Sequence, residues 1–281
     1  MNIQWYPGHM AKTRRLISDN LKNVDAVCEI VDARIPLSSQ NPDVAQLCGD
    51  KPKMIVLNRI DLADSAVTDM WEQYFKNLGY VTLKCNSKSG AGCERFAPLL
   101  KQLLEERVRR NLEKGQTGRA LRAMIAGIPN VGKSTFINRI SKRAAAKAED
   151  RPGVTRTKQW VVAGDNIELL DTPGILWHKF EDKTCALNLA FTGAVKDQIM
   201  DLEALASELA ALLWNNYPEQ MRTRYKLDID PATIGYEMLE QLGRKRGTLL
   251  SGGVVDTERM SKILLDEFRS GTIGKISLER P

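Results

Sequence analysis

Residues 127–134 read GIPNVGKS, which satisfies the spacing GxxxxGK[ST] of a loop that wraps phosphate groups. The residues before it, RAMIA (122–126), suit a buried strand, and those from Lys133, KSTFINRI (133–140), suit a helix. Strand, glycine-bearing loop and helix in that order bring backbone N–H groups and a helix N-terminus to one point, where an anion binds. Lys133 is then expected to reach the outer phosphates and Ser134 to ligate Mg²⁺, with Asn130, Val131, Gly132 and Thr135 completing the loop. A chance glycine-rich turn would not come framed by both elements.

Such a loop is usually found near the start of its domain, whereas 126 residues precede this one. Those residues read as alternating strands and helices. Apolar, β-rich runs occur at AVCEIVDA (26–33), MIVLN (54–58), YVTLKC (80–85), RAMIAG (122–127), QWVVAG (159–164) and IELLD (167–171). Helical patterns lie between several of them, including TDMWEQYFKNLG and the long ERFAPLLKQLLEERVRRNLEKG. The expected fold is α/β, with a doubly wound, mostly parallel sheet binding its ligand at the carboxyl ends of the strands. Beyond residue 180 only helical patterns remain, as in DLEALASELAALLWNNY (201–217), PATIGYEMLEQLG (231–243) and DTERMSKILLDEFRSG (256–271). Asp230 with Pro231 is expected to start a helix, and Gly243 and Gly271 to stop one. The domains are therefore 1–180, with an N-terminal segment 1–24 and a linker near 113–119, and an all-helical 181–281.

Three further elements complete a nucleotide site. Asp171-Thr-Pro-Gly174 ends the strand IELLD, so Asp171 can serve Mg²⁺ and the Gly174 amide can meet the terminal phosphate. Pro152-Gly-Val-Thr155-Arg-Thr157 carries a hydroxyl suited to closing over that metal; Thr155 is preferred and Thr157 is the alternative. Upstream, Asn58-Arg59-Ile60-Asp61 follows the strand MIVLN and resembles the NKxD element of GTPases, in which an aspartate accepts from the two donors of guanine that adenine lacks. Arg59 stands where that element has Lys, and its guanidinium can lie flat over the purine. Asn86-Ser87-Lys88 follows the next strand and resembles the SAK element, whose backbone amide meets the guanine oxygen.

The order is therefore base element, second base element, phosphate loop, switch threonine, DTPG: a GTPase with its usual second half placed first. The chain resembles the circularly permuted GTPases of bacterial ribosome assembly, and within them the RbgA (YlqF) group. The resemblance spans essentially the whole length, including WYPGHM (5–10) and DARIP (32–36). It implies a Ras-like, circularly permuted P-loop GTPase domain with an all-helical C-terminal domain. The implied activity is Mg²⁺-dependent hydrolysis of GTP to GDP, with Lys133, Thr155 and Gly174 acting on the phosphates. The implied partner is the large (50S) ribosomal subunit or its precursor, bound through rRNA late in maturation. A binding module with incidental hydrolysis, or a GTPase of tRNA modification or membrane traffic, are the alternatives.

Charge agrees with an anionic partner. The net charge is +6, divided as +9 for residues 1–180 and −3 for 181–281, and the excess sits in KTRR (12–15), RVRRNLEKGQTGRALR (107–122) and KRAAAKAEDRPGVTRTK (142–158). Arg244-Lys245-Arg246 is a further candidate phosphate grip, in a loop between helices. No apolar run is long enough to span a bilayer and the N-terminus lacks a secretory core, so a cytoplasmic protein, monomeric and without membrane attachment, is expected. The five cysteines show no metal-binding spacing and are expected as reduced thiols. Trp214, Tyr217 and Tyr225 are expected in the core, and DARIP as an Asp–Arg turn or a wall of the site. Ile175 occupies the position of the water-orienting glutamine of Ras-like enzymes, so His9 is the candidate for that role. Asn130 in the phosphate loop is a candidate K⁺ ligand, as in GTPases that use a monovalent cation.

Overall fold

The computed structural model describes residues 15, 17–113, 115, 119–141, 159–163, 166–174, 182–230 and 232–281. His9, Thr155, Thr157, Ile175 and most of the expected linker lie outside them. All six expected strands form: β1 (Ala26–Asp32), β2 (Lys53–Asn58), β3 (Val81–Lys84), β4 (Leu121–Ala126), β5 (Gln159–Val162) and β6 (Ile167–Asp171). They make one sheet of order β3-β2-β1-β4-β6-β5. Every pairing is parallel except β5 with β6, a hairpin at one edge. Every residue of β1 is buried, as a central strand covered on both faces requires. After β3 the chain returns to place β4 beside β1, so strand order reverses between these two. The loops that follow them flank a topological switch point, where open α/β sheets bind ligands.

Helices α1 (Pro42–Cys48) and α2 (Ser65–Asn77) follow β1 and β2. Asn41 and Asp64 start them, each accepting backbone N–H bonds of the first turn. Trp71 and Phe75 of α2 pack with Val31, Ile55 and Leu57, while Val44 and Cys48 of α1 pack with Val27, Met124 and Leu170. The long helical pattern after β3 is divided: α3 (Phe96–Leu103) and α4 (Glu105–Glu113) meet at Leu104, whose φ of −106° and ψ of 15° interrupt the helix. α3 buries Phe96 against Phe136 of α5 (Lys133–Ile140), with ring centroids 5.2 Å apart. α4 has no fully buried residue; Arg109 and Arg110 are exposed, while Arg107 turns to the buried Asp25 at 2.6 Å.

The chain divides into two units, Met1–Glu181 with Ser277–Pro281, and Asp182–Ile276. The helical unit thus stops five residues short of the chain end. It contains α6 (Lys183–Phe191), α7 (Leu202–Asn216), α8 (Pro218–Tyr225), α9 (Gly235–Arg246) and α10 (Thr257–Ser270). Among its described residues no strand occurs beyond an isolated bridge between Leu249 and Val255. Trp214, Tyr217 and Tyr225 are buried. Asp230 does not open a helix; its carboxylate accepts from the Ala232 amide and α9 begins at Gly235. Gly243 does not stop one. It lies within α9, where an added Cβ would come within 2.4 Å of Val255 Cγ1, and the left-handed residue that ends the helix is Gly247. Arg244-Lys245-Arg246 therefore forms the last turn of α9 rather than a loop. There Arg246, with Arg224 and the Tyr225 hydroxyl, donates to the buried Glu267, leaving Arg244 and Lys245 exposed.

Candidate nucleotide site

The carboxyl ends of β4 and β1 define the site. β4 runs into the loop Gly127–Gly132, and Lys133 opens α5. Lys133 is buried, with Nζ donating to the carbonyls of Gly127 at 3.0 Å and Ile128 at 2.8 Å. Burial pulls its ammonium down to about 8, partly opposed by the Asp171 carboxylate. Ser134 and Thr135 stand exposed on the first turn of α5, where the helix N-terminus favours anions.

On the other side, Asp171 ends β6. Its carboxyl is raised by burial and drawn back by Lys133 and by the Thr172 amide. The Thr172 hydroxyl donates to Ile125 O at 2.7 Å, tying DTPG to β4. Gly174 lies so close to the phosphate loop that a Cβ there would meet Lys133 Nζ at 2.8 Å and the Pro129 backbone at 2.9 Å. The structure thus brings Lys133, Asp171 and Gly174 together. The oxygen donors Ser134 and Asp171 fit a hard cation such as Mg²⁺, which takes few protein ligands and completes its shell with phosphate and water. Among the described residues no cluster of His, Cys, Asp and Glu could hold another metal.

The base element meets the phosphate loop through Asn58. Its buried side-chain amide donates from Nδ2 to Val131 O at 2.8 Å, and its Oδ1 accepts from Ser87 N at 3.0 Å and Ser87 Oγ at 2.8 Å. Gly132, with φ 98°, passes so near that a Cβ would stand 2.4 Å from Asn58 Nδ2, which no side chain would permit. Asn58 and Ser87, both expected as nucleotide ligands, are thus bonded to each other, and Asn58 also to the phosphate loop, so that three segments meet at this side chain. The amides of Lys88 and Ser89 turn onto Asn86 Oδ1 at 2.9 and 3.1 Å. Asp61 sits in the turn after β2 with its carboxylate exposed.

Arg59 has a left-handed backbone, φ 62°, which a non-glycine residue keeps only when its surroundings hold it there. Its Nη2 donates to Asn130 O at 2.6 Å and its Nη1 lies 3.5 Å from Asp32 Oδ2. Asp32 in turn accepts from Arg34 Nε at 3.0 Å and Nη2 at 2.8 Å. Burial alone would raise the Asp32 carboxyl, but the Arg34 and Arg59 charges and the bonds from Arg34 hold it below its ordinary range. DARIP is thus both an Asp–Arg turn and a support for the base element.

Arg139 of α5 belongs to no motif that marks it in the sequence. It donates to the carbonyls of Ser87 at 3.3 Å and Lys88 at 2.5 Å, so the helix of the phosphate loop also holds the second base element. Its only sequence signal is the polar side of a helix, which any solvated arginine would share.

Comparison with known proteins agrees with this geometry. Residues 122–220 match the family described as 50S ribosome-binding GTPase. The chain is 46% identical over 281 residues to ribosome biogenesis GTPase A of Bacillus cereus, covering 100% of this chain and 95% of that protein. It is 31% identical to the protein of that name from Thermotoga maritima, covering 99% and 95%. A GDP-bound YlqF structure superposes with a TM-score of 0.71 at 27% identity, covering 95% of this chain and 99% of the other. GNP-bound YlqF from T. maritima gives 0.65, with coverage of 96% and 98%. With full-length identity of this order on a shared fold, this chain is a GTPase of the ribosome biogenesis GTPase A (RbgA/YlqF) family.

Proposed function

We propose that the chain is a guanine-nucleotide switch that acts in the cytoplasm on the large ribosomal subunit, or a precursor of it, by binding rRNA. The observation that supports the nucleotide half is the Asn58 junction, which bonds the end of β2 to the phosphate loop three residues before the exposed Asp61. Asp61 accepts from the guanine N1–H and 2-amino groups. Against adenine it would be left facing no donor, which supports strong discrimination. Lys133 and the amides of Asn130 to Thr135 hold the phosphates, and Gly174 contributes its amide to the terminal one. Mg²⁺, held by Ser134, Asp171 and Thr155, supplies charge neutralisation at the phosphates when bound.

The ribosomal half rests on charge and connectivity. Arg109 and Arg110 of α4 pair with Glu113 and Glu106 on an exposed helix face, and such pairs are readily exchanged for phosphate contacts. Arg244 and Lys245 offer a similar exposed pair at the end of α9. In sequence DTPG is joined by residues 175–181 to the helical unit, which begins at Asp182, so a nucleotide-dependent change at Gly174 can be passed to it along the chain. The protein acts as a monomer and, alone, hydrolyses GTP slowly, since Ile175 cannot orient water. His9 is assigned that task once the ribosomal partner is engaged, and Asn130 is assigned to K⁺.

Asp61→Asn is expected to lower GTP affinity at least about tenfold, the scale of one lost charge-assisted pair, and to raise affinity for xanthine nucleotides. Equal wild-type affinity for GTP and ATP contradicts the assignment. Pelleting with large subunits or their precursors should be tighter with a GTP analogue than with GDP and should weaken steeply as salt is raised, with hydrolysis stimulated in parallel. Binding indifferent to nucleotide, with no stimulation, would leave an incidental GTP-binding module. His9→Ala should lower the stimulated rate while sparing GTP affinity, and KCl should support faster hydrolysis than NaCl; an unchanged rate in either comparison removes that assignment.

A further inference from the structure

The chain leaves the helical unit at Ile276, and its last five residues belong to the first unit. Ser277–Pro281 form a strap across the loops that follow β1 and β2. Ser277 Oγ accepts the Asp64 amide at 3.1 Å, and Asp64 is the N-cap of α2, three residues past the base-reading Asp61. Leu278 N donates to Arg34 O at 2.8 Å. The Glu279 carboxylate accepts from the amides of Leu37 at 2.7 Å and Ser38 at 3.0 Å, and from the Ser38 hydroxyl. Its backbone carbonyl accepts from the indole of the fully buried Trp71 at 3.2 Å.

The segment gripped by Glu279 continues into the site without a gap. Arg34, whose carbonyl the strap holds, is completely buried and chelates Asp32. Asp32 faces Arg59 across 3.5 Å, and Arg59 reaches the phosphate loop at Asn130 O. The strap therefore acts on the two segments, 32–38 and 61–64, that decide where Arg59 and Asp61 stand. Hydrogen bonds from backbone amides to an ionised carboxylate are among the stronger ones available, and the Arg59 backbone is left-handed and depends on its neighbours for that conformation.

We propose that the C-terminal strap, through Glu279, is a positioning element for guanine-nucleotide binding, acting by way of Asp32 and Arg59. This rests on the reading above that Asp61 and Arg59 serve the base. Glu279 does not touch the nucleotide; it fixes the loop that aims the residues that do. The chain enters the helical unit at Asp182 and leaves it at Ile276, so that both ends of this unit continue in sequence into the first unit.

Glu279→Gln is the sharp variant, because its amide turns a donor toward the Leu37 or Ser38 N–H while the strap's backbone contacts remain. A second variant ends the chain after Ile276. Binding of fluorescent GDP and of a GTP analogue, hydrolysis at saturating GTP and thermal unfolding are measured on the full-length wild type and both variants. Glu279→Gln should weaken guanine-nucleotide binding about 3- to 10-fold, the scale of one or two hydrogen bonds, with kcat at saturation within about twofold and unfolding little changed. Truncation should weaken it further. In an Arg59→Ala background Glu279→Gln should add nothing, since the route passes through Arg59. Unchanged affinity, additive effects in that background, or a fall in kcat and melting temperature without a change in affinity would each overturn the proposal. Asp61→Asn serves as the reference arm. If it too leaves guanine selectivity untouched, the site reading has failed; if it acts and Glu279→Gln does not, the strap proposal alone has failed.

Discussion

One buried carboxamide makes a single site from two distant parts of the chain. Asn58 at the end of β2 joins Val131, 73 residues later, to Ser87, 29 residues later, through three hydrogen bonds. In a permuted chain the base elements come first and the phosphate loop returns to them only when β4 pairs with β1. The sheet sets the distance between the two parts, and Asn58 sets their mutual position at the scale of a hydrogen bond. Gly132 must be glycine for this contact to exist, and Arg139 of α5 repeats the join from the opposite direction.

Around that junction, charge is arranged in series. Arg59, where the resembling element has Lys, crosses to Asn130 O and keeps one nitrogen near Asp32. A lysine carries its donors on one nitrogen, whereas a planar guanidinium presents them on separate nitrogens that reach two partners in different directions. The departure from the NKxD pattern is thus matched by the buried Asp32–Arg34 pair of DARIP. Arg34 and Asp32 are both nearly inaccessible, so either one alone would be a costly buried charge; together they form a rigid wall beside the base element.

The parts of this architecture that could be read from sequence are those encoded in contiguous stretches. The phosphate loop lies within eight residues, and its flanking strand and helix declare themselves by period. All six strands form where apolar runs place them: the central parallel strands need continuous apolar residues because both faces are covered, whereas β5 is an antiparallel edge strand with Trp160 and Val162 exposed. That Asn58 clamps protein segments is invisible in sequence because its partners lie 29 and 73 residues away, and a side chain that does so carries the same one-letter signature as one that meets a base. Gly243 looked like a helix stop because a glycine that permits close packing on Val255 has the same one-letter signature as one that permits a left-handed turn. The C-terminal strap carries no periodicity; only the fold reveals that Ser277, Leu278 and Glu279 answer Asp64, Arg34 and Ser38.

The most direct test of the central claim is GDP and GTP-analogue affinity of Asn58→Ala, measured by fluorescence titration beside a circular-dichroism check that the protein remains folded. Removing the amide leaves the buried Val131 carbonyl and the Ser87 donors without their partner, at about 1–3 kcal/mol for each group left unsatisfied. Affinity for both nucleotides should fall at least about 30-fold, the equivalent of roughly 2 kcal/mol, and preference for GTP over ITP should shrink, because phosphate loop and base element lose their common position. A folded Asn58→Ala protein that binds guanine nucleotides as tightly and as selectively as the wild type would contradict the account.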